Sequence, residues 1–349
     1  MMESLIRQWQ GETVIVRHDK QADAWIFIAI YSTRLGPAAG GTRMMSYPSP
    51  KDALHDAMLL AKGMAYKYAV PGMPWGGGKC VIAIPKGFDM NSKPDLLRRY
   101  GALVKQLGGM FYTGPDMGTC SEDMDIIAET GAPYIFACTP KAGGSGSSGP
   151  YTAIGVLAGI KEVCRHLYDD ESLDDKRILV QGLGNVGEPL VQLLISEGAN
   201  VLFTEVDKGL VEKYRGKFGL EYIHPNEIYD VECDVFSPCA VGGILNADSA
   251  TKIKCKAIVG GANNQLTSPD VAEILRARSI LYAPDYVVNV GGAMAILGME
   301  TQGWTKDQAE KKVATSVRET VKKVLLLARQ KEITTELAAS RIAEQRLHG

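Results

Sequence analysis

Arg177-Ile178-Leu179-Val180-Gln181-Gly182-Leu183-Gly184-Asn185-Val186-Gly187 sets an apolar, β-branched run directly before three glycines at GxGxxG spacing. Leu190, Val191 and Leu194 then recur at helical spacing up to Gly198, and Val201-Leu202-Phe203-Thr204 reads as a second strand with Glu205 at its tip. Glycines at this spacing are a weak signal alone, and a plain strand-helix-strand crossover would also accommodate them. Strand, glycines, helix, strand and acid in this order form the fingerprint of a dinucleotide-binding unit. The glycines let a pyrophosphate approach the helix N-terminus, where unpaired N–H groups and the helix dipole hold negative charge. A carboxylate at Glu205 would accept hydrogen bonds from the adenosine ribose and repel a 2′-phosphate, so NAD is expected in preference to NADP. Asp207 is an alternative for that task. Gly182, Gly184, Asn185, Val186, Gly187 and Glu205 are thus the first expected cofactor-binding residues.

Downstream, Cys233-Asp234-Val235-Phe236, Ala257-Ile258-Val259 and Ile280-Leu281-Tyr282 are strand-like. They end in Pro238-Cys239-Ala240, Gly260-Gly261-Ala262-Asn263-Asn264 and Pro284-Asp285. Repeated units of this kind extend a parallel sheet whose carboxyl ends line one crevice, which adds Cys239, Ala240 and Asn263 to the cofactor set. Asn263 and Asn264 are either ordinary loop amides or donors for a carboxamide or amine.

The first half has a different pattern. Thr13-Val14-Ile15-Val16-Arg17 and Trp25-Ile26-Phe27-Ile28-Ala29-Ile30-Tyr31 suggest paired strands. Leu35-Gly36-Pro37-Ala38-Ala39-Gly40-Gly41-Thr42-Arg43 reads as a turn between strands. Ser49 caps a helix with Pro50 at its first position, and Leu54, Ala57, Ala61 and Met64 carry it to about Tyr66, delivering Lys67 near its end. Trp75-Gly76-Gly77-Gly78-Lys79 then brings backbone close to a ligand and presents one amine, with a buried strand starting at Cys80. A phosphate-binding GxxxxGK[ST] loop is excluded, because Met73 and Cys80 stand where glycine and a hydroxyl residue are required. Two lysines converging on one connection lower each other's pKa. Further on, a helix over 94–107 precedes the strand Met110-Phe111-Tyr112-Thr113, placing Asp116 just past a strand end, where it is either a turn former or a group facing a ligand crevice. Ser121 caps the next helix, 140–150 is a flexible linker or hinge, Thr152 opens a helix, and 304–347 is mostly helical and available to pack over the first domain.

The chain has 349 residues, enough for about two domains, and a formal charge of −2 that gives no reason to expect a nucleic acid or an anionic membrane as partner. No apolar run has the length of a membrane span and the start lacks the apolar core of a signal peptide, so a cytoplasmic protein is expected. Seven scattered cysteines and five isolated histidines show no zinc spacing, so free thiols and no metal are expected.

Together these motifs resemble the amino-acid dehydrogenase family of glutamate, leucine, phenylalanine and valine dehydrogenases, in particular its shorter leucine/phenylalanine branch. The likeness runs through 35–43, 63–67, 76–79, 113–118, the fingerprint from Gly182, 238–246, 260–266 and 282–292. It implies an α/β fold of two domains separated by a cleft: a substrate-binding and oligomerisation domain over 1–138 and 325–349, and a Rossmann-type NAD-binding domain over 139–324. It also implies reversible oxidative deamination of an L-amino acid to its 2-oxo acid and ammonium, by a homo-oligomer. Lys67 matches the lysine that pairs with the substrate carboxylate, assisted by the Gly40 backbone and Asn263 or Asn264. Lys79 matches the catalytic lysine, Asp116 the acid/base that relays protons, and Thr152 the contact to the nicotinamide amide.

The resemblance further bears on the side-chain pocket. Glutamate enzymes carry a lysine where this chain has Ala39, so a distal carboxylate would lose its partner. Ala39, Gly114 and Ala293 are smaller than the residues of leucine enzymes and resemble phenylalanine enzymes, which implies a large, aromatic substrate with Ile296 closing the pocket. A branched-chain substrate is the alternative, and a catalytically silent NAD-binding protein is a rival of another class.

Overall fold

Thr13–Asp19 (β1) and Ala24–Ser32 (β2) form the antiparallel pair that their β-branched and aromatic residues predict, with Val14 opposite Ala29. Ala38–Met45 (β3), Gly76–Ala83 (β4) and Phe111–Pro115 (β5) complete a five-stranded sheet of order β1-β2-β4-β3-β5. β4 runs antiparallel to β2 and parallel to β3, which is in turn parallel to β5. The segment expected to be a turn at 35–43 is therefore mostly strand. Its glycines serve close packing instead: a Cβ on Gly40 would lie 1.8 Å from the Gly78 carbonyl oxygen. β4 likewise starts at Gly76, so Lys79 lies inside a strand and not at its entrance.

The computed structural model describes residues 2–349. They divide into two units, the first containing the chain up to Ser147 with Met299–Gly303 and Ala343–Gly349, the second Ser148–Gly298 with Trp304–Ile342. In the first, the helix Pro50–Ala69 begins as read from the sequence, with Ser49 accepting from the Asp52 amide at 3.3 Å and Lys67 in the last turn. Lys93–Gln106 buries Leu96, Leu97 and Tyr100 against Ile26, Ile28 and Ile30. Ser121–Gly131 is capped one residue earlier than expected, by Cys120, whose amide donates to Asp123. The segment expected to be a loose linker is fixed as far as Ser145. Asp125 accepts from the Thr139 amide and hydroxyl, and Glu300 from the Ala137 and Ser145 amides.

In the second unit Arg177–Gln181 (β6), Asn200–Thr204 (β7), Glu221–Tyr222 (β8), Cys233–Pro238 (β9), Cys255–Ile258 (β10) and Leu281–Tyr282 (β11) form one sheet of order β11-β10-β9-β6-β7-β8. Its neighbouring strands pair in parallel. Strand order reverses between β6 and β9, which is where open α/β sheets bind ligands beyond their carboxyl ends. The expected division at 325 does not hold. Lys306–Lys331 is one continuous helix, and its face of Val313, Val317, Val321 and Val324 is buried along Gly149–Tyr168 in the second unit. Beyond this helix Ala343–Gly349 return to the first unit, where Arg346 donates to the Ala69 and Val70 carbonyls. Among the described residues no helix is long and apolar enough to cross a membrane.

Candidate active site

Lys79 owes its position to the glycines before it. A Cβ on Gly76 would lie 2.1 Å from the Ser32 carbonyl oxygen, and one on Gly77 2.2 Å from the Ala65 nitrogen. Strand β4 thus meets β2 and the helix Pro50–Ala69 at backbone distance, and the first residue with a long side chain is the lysine. Only 5% of Lys79 is exposed, and its Nζ lies 3.2 Å from Asp116 Oδ2. Burial pushes its pKa down, Asp116 opposes this, and the nearby Arg43 guanidinium adds to the fall.

Asp116 could have been a turn former, but Thr119 does that work. Its hydroxyl accepts from the Asp116 amide at 3.0 Å and donates to the Thr42 carbonyl at 2.7 Å. The carboxylate is left for the two cations: Arg43 Nε donates to Asp116 Oδ2 at 2.8 Å. Burial pushes the carboxyl pKa up, yet Lys79 and Arg43 outweigh it and hold Asp116 below the ordinary value. Arg43 was missed in the sequence because it lies 73 positions from Asp116 in the chain, with no local pattern linking them.

Lys67 is half-buried on the last turn of Pro50–Ala69. The turn before it packs on the same strands, since a Cβ on Gly40 would lie 3.4 Å from Met64 Cγ. Ala39 is fully buried, paired with Gly77 and Tyr112. The room left by Gly114 is not open: a Cβ there would lie 2.3 Å from the Phe136 ring. Phe136 is the neighbour the sequence did not reveal.

In the second unit the three fingerprint glycines have separate reasons. Gly182 has φ +88° and lies against Ala240, where a Cβ would meet the alanine Cβ at 2.7 Å. A Cβ on Gly187 would lie 1.8 Å from the Gly182 carbonyl oxygen, whereas one on Gly184 would meet nothing within 4 Å. The helix Gly187–Ser196 that follows has no side-chain cap at Val186, whose methyl packs toward Gly261. An open glycine before an uncapped helix N-terminus fits a dinucleotide pyrophosphate. Glu205 stands at the end of β7 and accepts from the Leu183 amide at 2.7 Å, and from Val206 and Asp207 at 2.6 and 3.1 Å. The alternative, Asp207, instead caps Lys208–Phe218 through the Leu210 amide.

Cys239 donates its amide to the Gln181 carbonyl, tying β9 to β6, and burial raises its thiol pKa, which disfavours the thiolate. Thr152 donates to the Ser148 carbonyl at 3.1 Å and packs against Gly292. Asn263 is exposed, and its side-chain oxygen accepts from Asn289 at 2.8 Å, while the Asn264 amide donates to Asp285 at 2.5 Å. Ala293 is half-buried and Ile296 buried on Gly291–Gln302.

Comparison with known proteins accords with this arrangement. Residues 13–132 match the model described as "Glu/Leu/Phe/Val dehydrogenase, dimerisation domain", and 143–216 with 202–348 match "Glutamate/Leucine/Phenylalanine/Valine dehydrogenase". The chain is 39% identical to the leucine dehydrogenase of Thermoactinomyces intermedius, over 98% of this chain and 92% of that one. It is 38% identical to the phenylalanine dehydrogenase of Caldalkalibacillus thermarum, over 97% and 91%. The crystal structure of L-tryptophan dehydrogenase from Nostoc punctiforme superposes with a TM-score of 0.85 at 35% identity, covering 99% of this chain and 98% of that one. With a lysine paired to an aspartate in the first unit and a glycine-rich strand-to-helix turn in the second, the chain belongs to the glutamate/leucine/phenylalanine/valine dehydrogenase family, in its leucine/phenylalanine branch, and is an amino-acid dehydrogenase.

Proposed function

We propose that the protein catalyses the NAD-dependent, reversible oxidative deamination of a large apolar L-amino acid, aromatic by first preference, to its 2-oxo acid and ammonium. The observation that carries this is the buried Lys79–Asp116 pair at 3.2 Å, a proton-transfer couple that a silent NAD-binding protein would have no use for. In the first unit Lys67 and the Gly40 backbone bind the substrate carboxylate; in the second the Asn263 amide is a donor for a carboxylate or carboxamide. Held by the second unit, the nicotinamide ring would supply the acceptor for the hydride from Cα. Lys79, its pKa lowered by burial, takes a proton from the water that attacks the imine carbon, and its ammonium form then faces the carbinolamine oxygen. Asp116, an anion at rest beside it, takes up a proton transiently as it relays it between water and the amino group.

Cofactor choice follows from Glu205, whose charge beside the ribose position opposes a 2′-phosphate. Thr152, Gly182, Gly184, Asn185, Val186, Gly187, Cys239 and Ala240 complete the proposed cofactor contacts. Ala39 in place of a lysine disfavours glutamate, because a second carboxylate would be buried unpaired. Ala293 and Ile296 would bound the side-chain pocket. A branched-chain substrate is the second reading, and one observation favours it: Phe136 fills the room that Gly114 leaves. Assembly into a homo-oligomer is supported by the match of 13–132 to a dimerisation domain.

The test is NAD reduction with phenylalanine, tryptophan, leucine, valine and glutamate side by side. Highest kcat/KM for an aromatic substrate is expected. Preference for leucine or valine would select the second reading, preference for glutamate would overturn the pocket argument, and NAD binding without turnover of any amino acid would identify a silent binder.

A further inference from the structure

We propose that Arg43 is a positioning residue for this reaction: its guanidinium, anchored from behind by Asp56, holds the Asp116 carboxylate at the Lys79 amine while that amine passes between charged and neutral forms. The proposal rests on the roles given above to Lys79 and Asp116. Arg43 reaches two carboxylates with different edges of its fork, Nε to Asp116 at 2.8 Å and a terminal nitrogen to Asp56 at 3.0 Å. Asp56 projects from the helix Pro50–Ala69 and also accepts the Tyr47 hydroxyl at 2.5 Å. The side chain of Arg43 is 17% exposed and that of Asp56 26%, so solvent screens this chain of contacts only in part.

The charged groups around the cluster are Lys79 from β4, Arg43 from β3, Asp116 after β5 and Asp56 from the helix, with the Tyr47 phenol at its outer end. With Lys79 charged, two cations face two anions. Were Lys79 the sole partner of Asp116, its deprotonation would strand a largely buried carboxylate, which would then take up a proton itself. A guanidinium does not deprotonate in the working range, so Arg43 supplies the counter-charge through both halves of the cycle. Both cations meet the same oxygen, Asp116 Oδ2, so Arg43 keeps a charged donor on it when Lys79 is neutral.

The signs follow directly. Positive charge at Arg43 favours the deprotonated forms of both neighbours, neutral Lys79 and anionic Asp116, whereas negative charge at Asp56 favours protonated Lys79. Removing the first charge should therefore move the rising limb of the kcat/KM profile to higher pH, and removing the second should move it to lower pH. A residue that merely braced β3 against the helix would lower activity at every pH without displacing the limb.

The experiment measures pH profiles of amino-acid oxidation for the native protein, R43Q, R43K, D56N and Y47F. In parallel, cyanate carbamylation of Lys79, read by peptide mass, reports the neutral fraction of that amine without turnover. Expected are an alkaline shift of about one pH unit or more in R43Q, near-native behaviour in R43K, an acid shift in D56N and a smaller shift in Y47F. Loss of activity in R43Q without movement of either midpoint, or shifts of the same sign in R43Q and D56N, would overturn the proposal. If R43Q does not fold, the D56N shift alone decides. If the native protein oxidises no amino acid, the catalytic reading fails, and the carbamylation midpoints still tell whether Arg43 and Asp56 set the Lys79 charge in opposite directions.

Discussion

Asn289, itself only 3% exposed, donates its side-chain amide to Asn263 Oδ1 at 2.8 Å and to the Gly261 carbonyl at 3.2 Å. That bond occupies the oxygen of the exposed Asn263 amide, so its NH2 end is the one left to donate to a ligand. Asn264, the other member of the pair, is held by its backbone at φ +53°. Of the two adjacent amides, Asn263 is thus the one whose side chain is held by a hydrogen bond from a buried neighbour.

Asn289→Asp would set a carboxylate against those acceptors in a buried site. The expected result is a loss of about 1–3 kcal/mol of stability together with a raised KM, read by thermal melts and steady-state kinetics. An unchanged KM would remove the orienting role.

Lys79→Ala should lower kcat by about 10²- to 10⁴-fold while NAD affinity, measured by fluorescence titration, stays near native. The native profile supplies a second check. Burial lowers the Lys79 pKa, so the neutral amine is present at lower pH than for an ordinary lysine, and amino-acid oxidation should rise through a midpoint below the ordinary lysine range. The residual activity of K79A should lack that rise.

The three fingerprint glycines should separate by experiment. Gly184→Ala meets no neighbour, so the variant should fold with a native Tm yet bind NAD about tenfold or more weakly, by titration calorimetry. Gly187→Ala would place a Cβ 1.8 Å from a backbone oxygen and should depress the Tm itself. Equal behaviour of the two would contradict the assignment of Gly184 to the ligand and Gly187 to packing.

Gly114→Ala would displace the Phe136 ring, because a Cβ would come within 2.3 Å of it. The ring is half-buried and can turn, so the fold should survive and the ratio of kcat/KM for phenylalanine over leucine should change. A ratio that stays constant would mean that neither residue borders the substrate.

Legibility differed between the two halves for a physical reason. The fingerprint unit was readable because its signals are local: strand, glycines, helix and acid follow within 30 residues of Arg177, and two of its glycines answer to close neighbours. In the first half, 35–43 resembled a turn because glycine usually marks one, yet Gly40 and Gly41 lie in a strand pressed against Gly78 and Pro115. No local pattern distinguishes those two uses of glycine. The boundary at 325 failed similarly, since the burial of Val317 and Val324 depends on a partner helix more than 140 positions earlier.

By itself, then, the sequence determined the two α/β units and the strand, glycines and helix of the fingerprint, and it singled out Lys79 and Asp116 as candidates, because period, glycine spacing and residue chemistry act over short stretches of chain. Only the tertiary structure decided that Arg43 and Asp56 complete the charge cluster, that Asn289 orients Asn263, and that Phe136 occupies the room beside Gly114. Electrostatic and steric contacts depend on distance in space, and these partners are brought together by sheet register and helix packing over separations that no local pattern encodes.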